Sequence, residues 1–149
     1  MKYKTLIPCI IFVFMFALLG SLFTNTGEWY EQIKPSITPP NYVFPIVWTI
    51  LFLMISFSLY FSIIHSQKNQ KKEIIFIFLI NLVLNLFWSI LYFGMQNPVY
   101  AFIEIFFLEA SIAWLIFATY KIDKKAAYLL IPYFLWVGFA MILNFLSIK

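Results

Sequence analysis

The chain has 149 residues, 64% of them apolar and only 11% charged. A soluble domain carries roughly 25% charged residues, so an ordinary water-soluble fold is excluded, and one cysteine rules out an internal disulfide or a cysteine-only metal site. The formal charge of +4 comes from lysine without arginine; these lysines flank apolar runs, which points to a membrane and away from nucleic acid.

In chain order the apolar segments are 5–23, 42–64, 74–94, 99–120 and 126–148. Each is close to the ~20 residues that a helix needs to cross a ~30 Å hydrocarbon core. Within lipid such segments are helices, because a helix satisfies its own backbone. The period-2 alternation of a membrane barrel is absent. Residues 1–20 open with lysines like a signal peptide, but the apolar run is long and no A-x-A site follows, so retention as a span is expected. The expected fold is an all-α integral membrane protein. It is a single domain over 1–149, a five-transmembrane-helix bundle with a long outer loop at about 24–41.

That loop contains GEWYEQIKPSITPPNY, residues 27–42, with Pro35, Pro39, Pro40 and three charged residues, Glu28, Glu31 and Lys34. Its prolines restrict the backbone, and Trp29 and Tyr30 supply an apolar underside. Loops of this length are usually functional or disordered, and the aromatic and proline content argues for an ordered lid. The other connections are short. Gly94 is expected to end the third helix, with Asn97 as N-cap and Pro98 as first residue of the fourth.

Five spans place Lys2, Lys4, Lys68, Lys71, Lys72, Lys121, Lys124 and Lys125 on one side, and only Lys34 and Lys149 on the other. The positive-inside rule then puts the N-terminus in the cytoplasm and the C-terminus and long loop outside, in what is read as a bacterial cell membrane.

Several polar and aromatic residues fall inside the spans. Asn81 and Asn85 share a face of the third, with Trp88 nearby; Trp136, Ala140 and Asn144 form an i, i+4 stripe on the fifth; Trp48 stands early in the second. Counting about 1.5 Å per residue puts Trp48, Asn85, Trp88, Glu104, Trp136, Ala140 and Asn144 in the outer half, beneath the long loop. Asn81 sits nearer the middle. Alone, each could be an interhelical contact or an interface anchor. Together they describe a pocket of indoles, amides and one acid, with Glu104 expected to be neutral and to donate to Asn85 or to a ligand. Indole faces stack on flat conjugated molecules. The lone His65 excludes bis-histidine haem ligation, no metal-spaced cluster or catalytic set is present, and no cofactor is expected.

WYEQIKPSITPP, FPIVWTILF, NLFWSILYFG and LLIPYFLWVGFAMILN, in that order and spacing, resemble the TspO/MBR family of tryptophan-rich sensory proteins, translocator proteins and peripheral benzodiazepine receptors. The likeness runs from about Gly20 to Asn144. It implies five membrane helices, binding of porphyrins such as protoporphyrin IX and of isoquinoline or benzodiazepine drugs, and a frequent homodimer. It also implies that Trp48, Asn85, Trp88, Trp136 and Ala140 line the site and that Tyr30 and the prolines belong to its lid. Glu104 stands where relatives place an acid, and Tyr100 where animal relatives carry a pocket Trp. The chain departs from the pattern at Ile37, which replaces a lid Trp, and at Phe145, which stands where a weak sterol motif has Tyr. The expected partners are therefore a planar hydrophobic small molecule, membrane lipid and a second copy of the chain. Lys34 is a candidate contact for a porphyrin's acidic arms. Two functions follow: binding or sensing of tetrapyrroles, with a role in their transport or regulation, and light- or oxygen-dependent porphyrin degradation. No acid–base pair suggests a catalytic residue, so binding leads.

Overall fold

The computed structural model describes residues 3–148; Met1, Lys2 and Lys149 lie outside the described residues, and with them two of the lysines used for orientation. Helix α1 spans Tyr3–Ser21, the short α2 Glu28–Ile33, α3 Val43–His65, α4 Gln70–Ser89, α5 Pro98–Tyr120 and α6 Lys124–Leu146. A π-helical turn, Ile90–Gly94, prolongs α4. With that turn included, all of these except α2 are long and apolar enough to span a membrane, and no strand occurs among the described residues. The chain is an all-α, multi-pass integral membrane protein.

The helix ends differ from those read from hydropathy, for local reasons. α4 begins at Gln70, where Asn69 Oδ1 accepts from the Gln70 N–H. Lys71, Lys72 and Glu73 are therefore helical, since long charged side chains can reach water from a helix end. α6 begins at Lys124 because Asp123 accepts from the N–H groups of Lys125 and Ala126. Asn97 and Pro98 open α5 as expected, with Asn97 Oδ1 taking the Tyr100 N–H at 3.1 Å. Gly94 ends the third span as expected, but not through a left-handed backbone. The left-handed residue of this turn is Gln96, at φ 51°, and no glycine has positive φ. A Cβ at Gly94 would crowd Phe23 Cδ1 at 3.1 Å, so a larger residue there would need the Phe23 ring to give way.

The spans pack in a ring running α1–α3–α6–α5–α4 and back to α1. Val13, Ile55, Phe78, Leu82, Ile112, Leu115 and Tyr133 are fully enclosed. The large apolar side chains on the outside, such as Ile103, Phe107 and Trp114, suit a lipid surround. Polar cross-links join the ring: Ser58 Oγ donates to the Ala126 carbonyl at 2.8 Å, and Asn81 Nδ2 to Ser111 Oγ at 2.8 Å. At the lysine-bearing end His65 pairs with Asp123. Partial burial pushes the Asp123 carboxyl up, but the Ala126 and Lys125 N–H groups and His65 outweigh it and hold it below the usual carboxylate range.

Candidate ligand cavity

Where the α1–α3 connection crosses the bundle, the helices part around a cavity of about 420 Å³, within the range of small-molecule sites. Phe16, Ala17 and Gly20 of α1 form one wall; Phe44, Pro45, Trp48 and Phe52 of α3 form another. Asn85, Trp88, Ser89, Tyr92 and Phe93 come from α4 and its π turn; Trp136, Ala140, Leu143 and Asn144 come from α6. The connection adds Thr24, Thr26, Tyr30, Pro35, Thr38 and Asn41, and α5 contributes nothing. No charged side chain lines the cavity.

The aromatic walls are held by specific contacts. Trp48 lies against Phe52 and edge-on to Tyr133, and Trp136 edge-on to Phe44. Trp88 stacks on Tyr92 with centroids 5.0 Å apart. Its Nε1–H donates to Asn144 Oδ1 at 3.1 Å, while Asn144 Nδ2 donates to the Pro98 carbonyl at 2.8 Å. Asn144 thus uses both ends of its amide within the protein, tying α6 to α4 and α5. Asn85 Nδ2 donates to the Tyr133 hydroxyl at 3.2 Å.

Of the residues singled out in the sequence, Trp48, Asn85, Trp88, Trp136, Ala140, Asn144, Tyr30 and Pro35 come together at this cavity. Glu104, Asn81 and Tyr100 do not. Glu104 is buried on the inner face of α5, outside the lining, and neither of its carboxyl oxygens bonds Asn85, whose Nδ2 donates to Tyr133. Asn81 is fully buried and donates to Ser111. Tyr100, in the first turn of α5, points outward and is 56% exposed.

The connection is ordered by α2, which hydropathy did not reveal because six residues are too few to register as a span. Tyr30 is buried, its ring tilted on Phe93 at 5.7 Å, and Trp29 meets Tyr92 edge-on. Burial, with Tyr92 and Glu31 adding to it, pushes the Tyr30 hydroxyl up to about 12. Lys34 pairs with Glu31 at 2.6 Å, and Asn41 donates to the same carboxylate at 3.0 Å. Bonds from Lys34 and then Asn41 hold Glu31 below the usual carboxylate range. Lys34, Pro39, Pro40 and Trp29 are not in the lining, so Lys34 faces its own helix rather than the cavity. Tyr92 and Phe93 were missed as wall residues. The π turn that carries them has no period of its own.

The cavity can enclose a flat apolar body and offer it neutral hydrogen-bonding groups. Among the described residues no set of three or more His, Cys, Asp or Glu could hold a metal.

The sequence profile described as the TspO/MBR family matches residues 9–148. Tryptophan-rich protein TspO of Chlorobaculum tepidum is 39% identical over 146 residues, covering 95% of this chain and 92% of that one. Tryptophan-rich protein TspO of Archaeoglobus fulgidus is 36% identical, with 97% and 95% covered. The translocator protein of Homo sapiens is 29% identical, with 85% and 78% covered.

Proposed function

Because this chain belongs to the TspO/MBR family, we propose that it binds flat, apolar small molecules in the membrane. Tetrapyrroles such as protoporphyrin IX and isoquinoline or benzodiazepine drugs are the class. The observation that carries this reading is one cavity of about 420 Å³ with no charged side chain in its lining and with Trp48, Trp88 and Trp136 in its walls. Indole faces reward stacking with a conjugated ring, and an uncharged lining favours a body whose core is neutral, since an unpaired charge is costly to bury. A porphyrin would enter ring first and leave its acidic arms toward water. The likeness to the human translocator protein supports movement of such a ligand as a role.

The connection carrying α2 acts as the lid, with Tyr30 and Pro35 over the cavity and Trp29 anchoring it on Tyr92. The lid faces outward and the N-terminus lies in the cytoplasm. This orientation rests on Lys4, Lys68, Lys71, Lys72, Lys121, Lys124 and Lys125 at one end of the bundle against Lys34 at the other.

Titration of the purified protein with protoporphyrin IX, in darkness and in light, tests the reading. Expected are saturable binding in darkness with the pigment unchanged, and a loss of about fivefold or more in affinity for Trp136→Ala, equivalent to about 1 kcal/mol. Wild-type affinity in Trp136→Ala and Trp48→Ala together would overturn the site. Loss of pigment in light that needs intact Trp136 would move the protein to porphyrin degradation.

A further inference from the structure

The turn between α5 and α6, at the lysine-bearing end, sets two cations on an aromatic surface that faces outward. Lys121 Nζ lies 4.1 Å from the ring centroid of Phe117, and Lys124 Nζ 5.5 Å from that of Tyr120. Tyr120 meets Tyr128 of α6 edge-on at 6.3 Å, so the surface bridges both helices. All three rings are exposed on the outside of the bundle, Phe117 at 62%.

The charge on this surface is unanswered within the protein. Asp123, between the two lysines in sequence, spends its carboxylate on His65 and on the Lys125 and Ala126 N–H groups. Glu73 stands in the first turn of α4, and among the described residues no ion pair includes Lys121 or Lys124. Depth makes this unusual. α5 has 23 residues, about 35 Å of helix against a ~30 Å hydrocarbon core, so its last turn reaches the headgroup layer. A lysine at such a place ordinarily extends toward water. Lys121 instead folds back one turn over Phe117, about 6 Å along the axis toward the hydrocarbon. Lys124 likewise lies over a ring of the preceding helix, whereas Lys68 and Lys72 of the α3–α4 turn are exposed with no ring beneath them. An aromatic face offsets only part of an ammonium's lost hydration. The anion available at that level of a membrane is a lipid phosphate.

We propose that the outer surface of the α5–α6 turn is a binding site for an anionic phospholipid, its phosphate held by Lys121 and Lys124 and its acyl chain lying against Phe117. The hydroxyls of Tyr120 and Tyr128 add neutral donors beside the two cations. Net negative charge is selected because two unpaired ammoniums repel the cationic group that a zwitterionic headgroup carries beside its phosphate. Tyrosine rings at the membrane boundary suit the same place, with an apolar body in the acyl region and a polar tip among headgroups. The site lies at the opposite end of the bundle from the cavity and is independent of what the cavity binds.

Native mass spectrometry of the full chain, released from nanodiscs holding equal phosphatidylglycerol and phosphatidylcholine, tests this. The wild type should retain phosphatidylglycerol preferentially. Its ratio to phosphatidylcholine should fall about fivefold for each lysine removed by Lys121→Gln and Lys124→Gln. Lys121→Arg with Lys124→Arg should keep the preference, which separates lost charge from lost fold. Lys68→Gln with Lys72→Gln removes as much charge from the same end of the bundle and should leave the preference in place. An equal fall in both glutamine pairs would show a general field in place of a site and overturn the proposal. So would a wild type that retains both lipids alike, or one whose retained lipid is displaced by inorganic phosphate, the mark of a site for the free anion.

Discussion

The two ends of this bundle are built from the same five spans and differ in what their side chains do. At the lysine-bearing end, small and aliphatic residues close the interfaces. Ala126 and Ala127 let α6 approach α3 near enough for Ser58 to bond the Ala126 carbonyl, and Leu115 and Leu130 are fully enclosed. Small residues are what allow membrane helices to pack closely. At the loop-covered end, Phe44 meets Trp136 edge-on, Trp88 stacks on Tyr92 and Trp48 lies against Phe52, and these rings stand around a cavity. Backbone composition is alike at both ends. Side-chain size and shape decide whether four helices seal or enclose a space.

Substitutions in the sealed and open ends should break this contrast in opposite ways. Leu115→Ala deletes enclosed packing and should cost about 2–5 kcal/mol of stability, read as a lowered unfolding midpoint in detergent. Ala140→Leu fills space that is already vacant, so the midpoint should hold while porphyrin binding is lost. Comparable destabilisation by both would mean that the open end is as tightly packed as the sealed one.

Asn144→Ala is the next largest. It strips a partner from the Trp88 Nε1–H and from the Pro98 carbonyl, and leaving buried polar groups unpaired costs about 1–3 kcal/mol. Near-ultraviolet dichroism should change as Trp88 loses its fixed orientation. Asn144→Asp can still accept from Trp88, so it should retain the Trp88 signal. An unchanged spectrum in the alanine variant would show that the Tyr92 stack alone fixes that indole.

The smallest effect belongs to the charged end. The Asp123 carboxyl is held below its usual range, so its contribution is present above the unfolded-state value and is lost as pH falls through the folded-state value. Asp123→Asn keeps an N-cap but discards the charge facing His65. It should flatten the acid side of the stability profile by a few tenths to about 1 kcal/mol, as expected of a pair near water. Midpoints measured across acidic pH for wild type and variant check this; parallel profiles would remove His65–Asp123 from the fold's support.

Much of this architecture follows from sequence alone because lipid leaves the backbone few options. A run of about 20 apolar residues has to be a helix, and the Asn97–Pro98 start of α5 is chemistry carried by two neighbouring residues. The residues gathered at the cavity were also largely legible, since Trp136, Ala140 and Asn144 share a stripe by helical period alone. Tertiary structure decided the rest. α2 exists because Tyr30 and Trp29 find Phe93 and Tyr92 to pack on, contacts about 60 residues away that no local pattern encodes. Whether Glu104 faces the cavity or a seam depends on how α5 is rotated against α4 and α6, and hydropathy carries no rotation. The partners of Asn85 and Asn144 depend on which helices meet, because an amide takes the nearest complementary group that the packing brings to it.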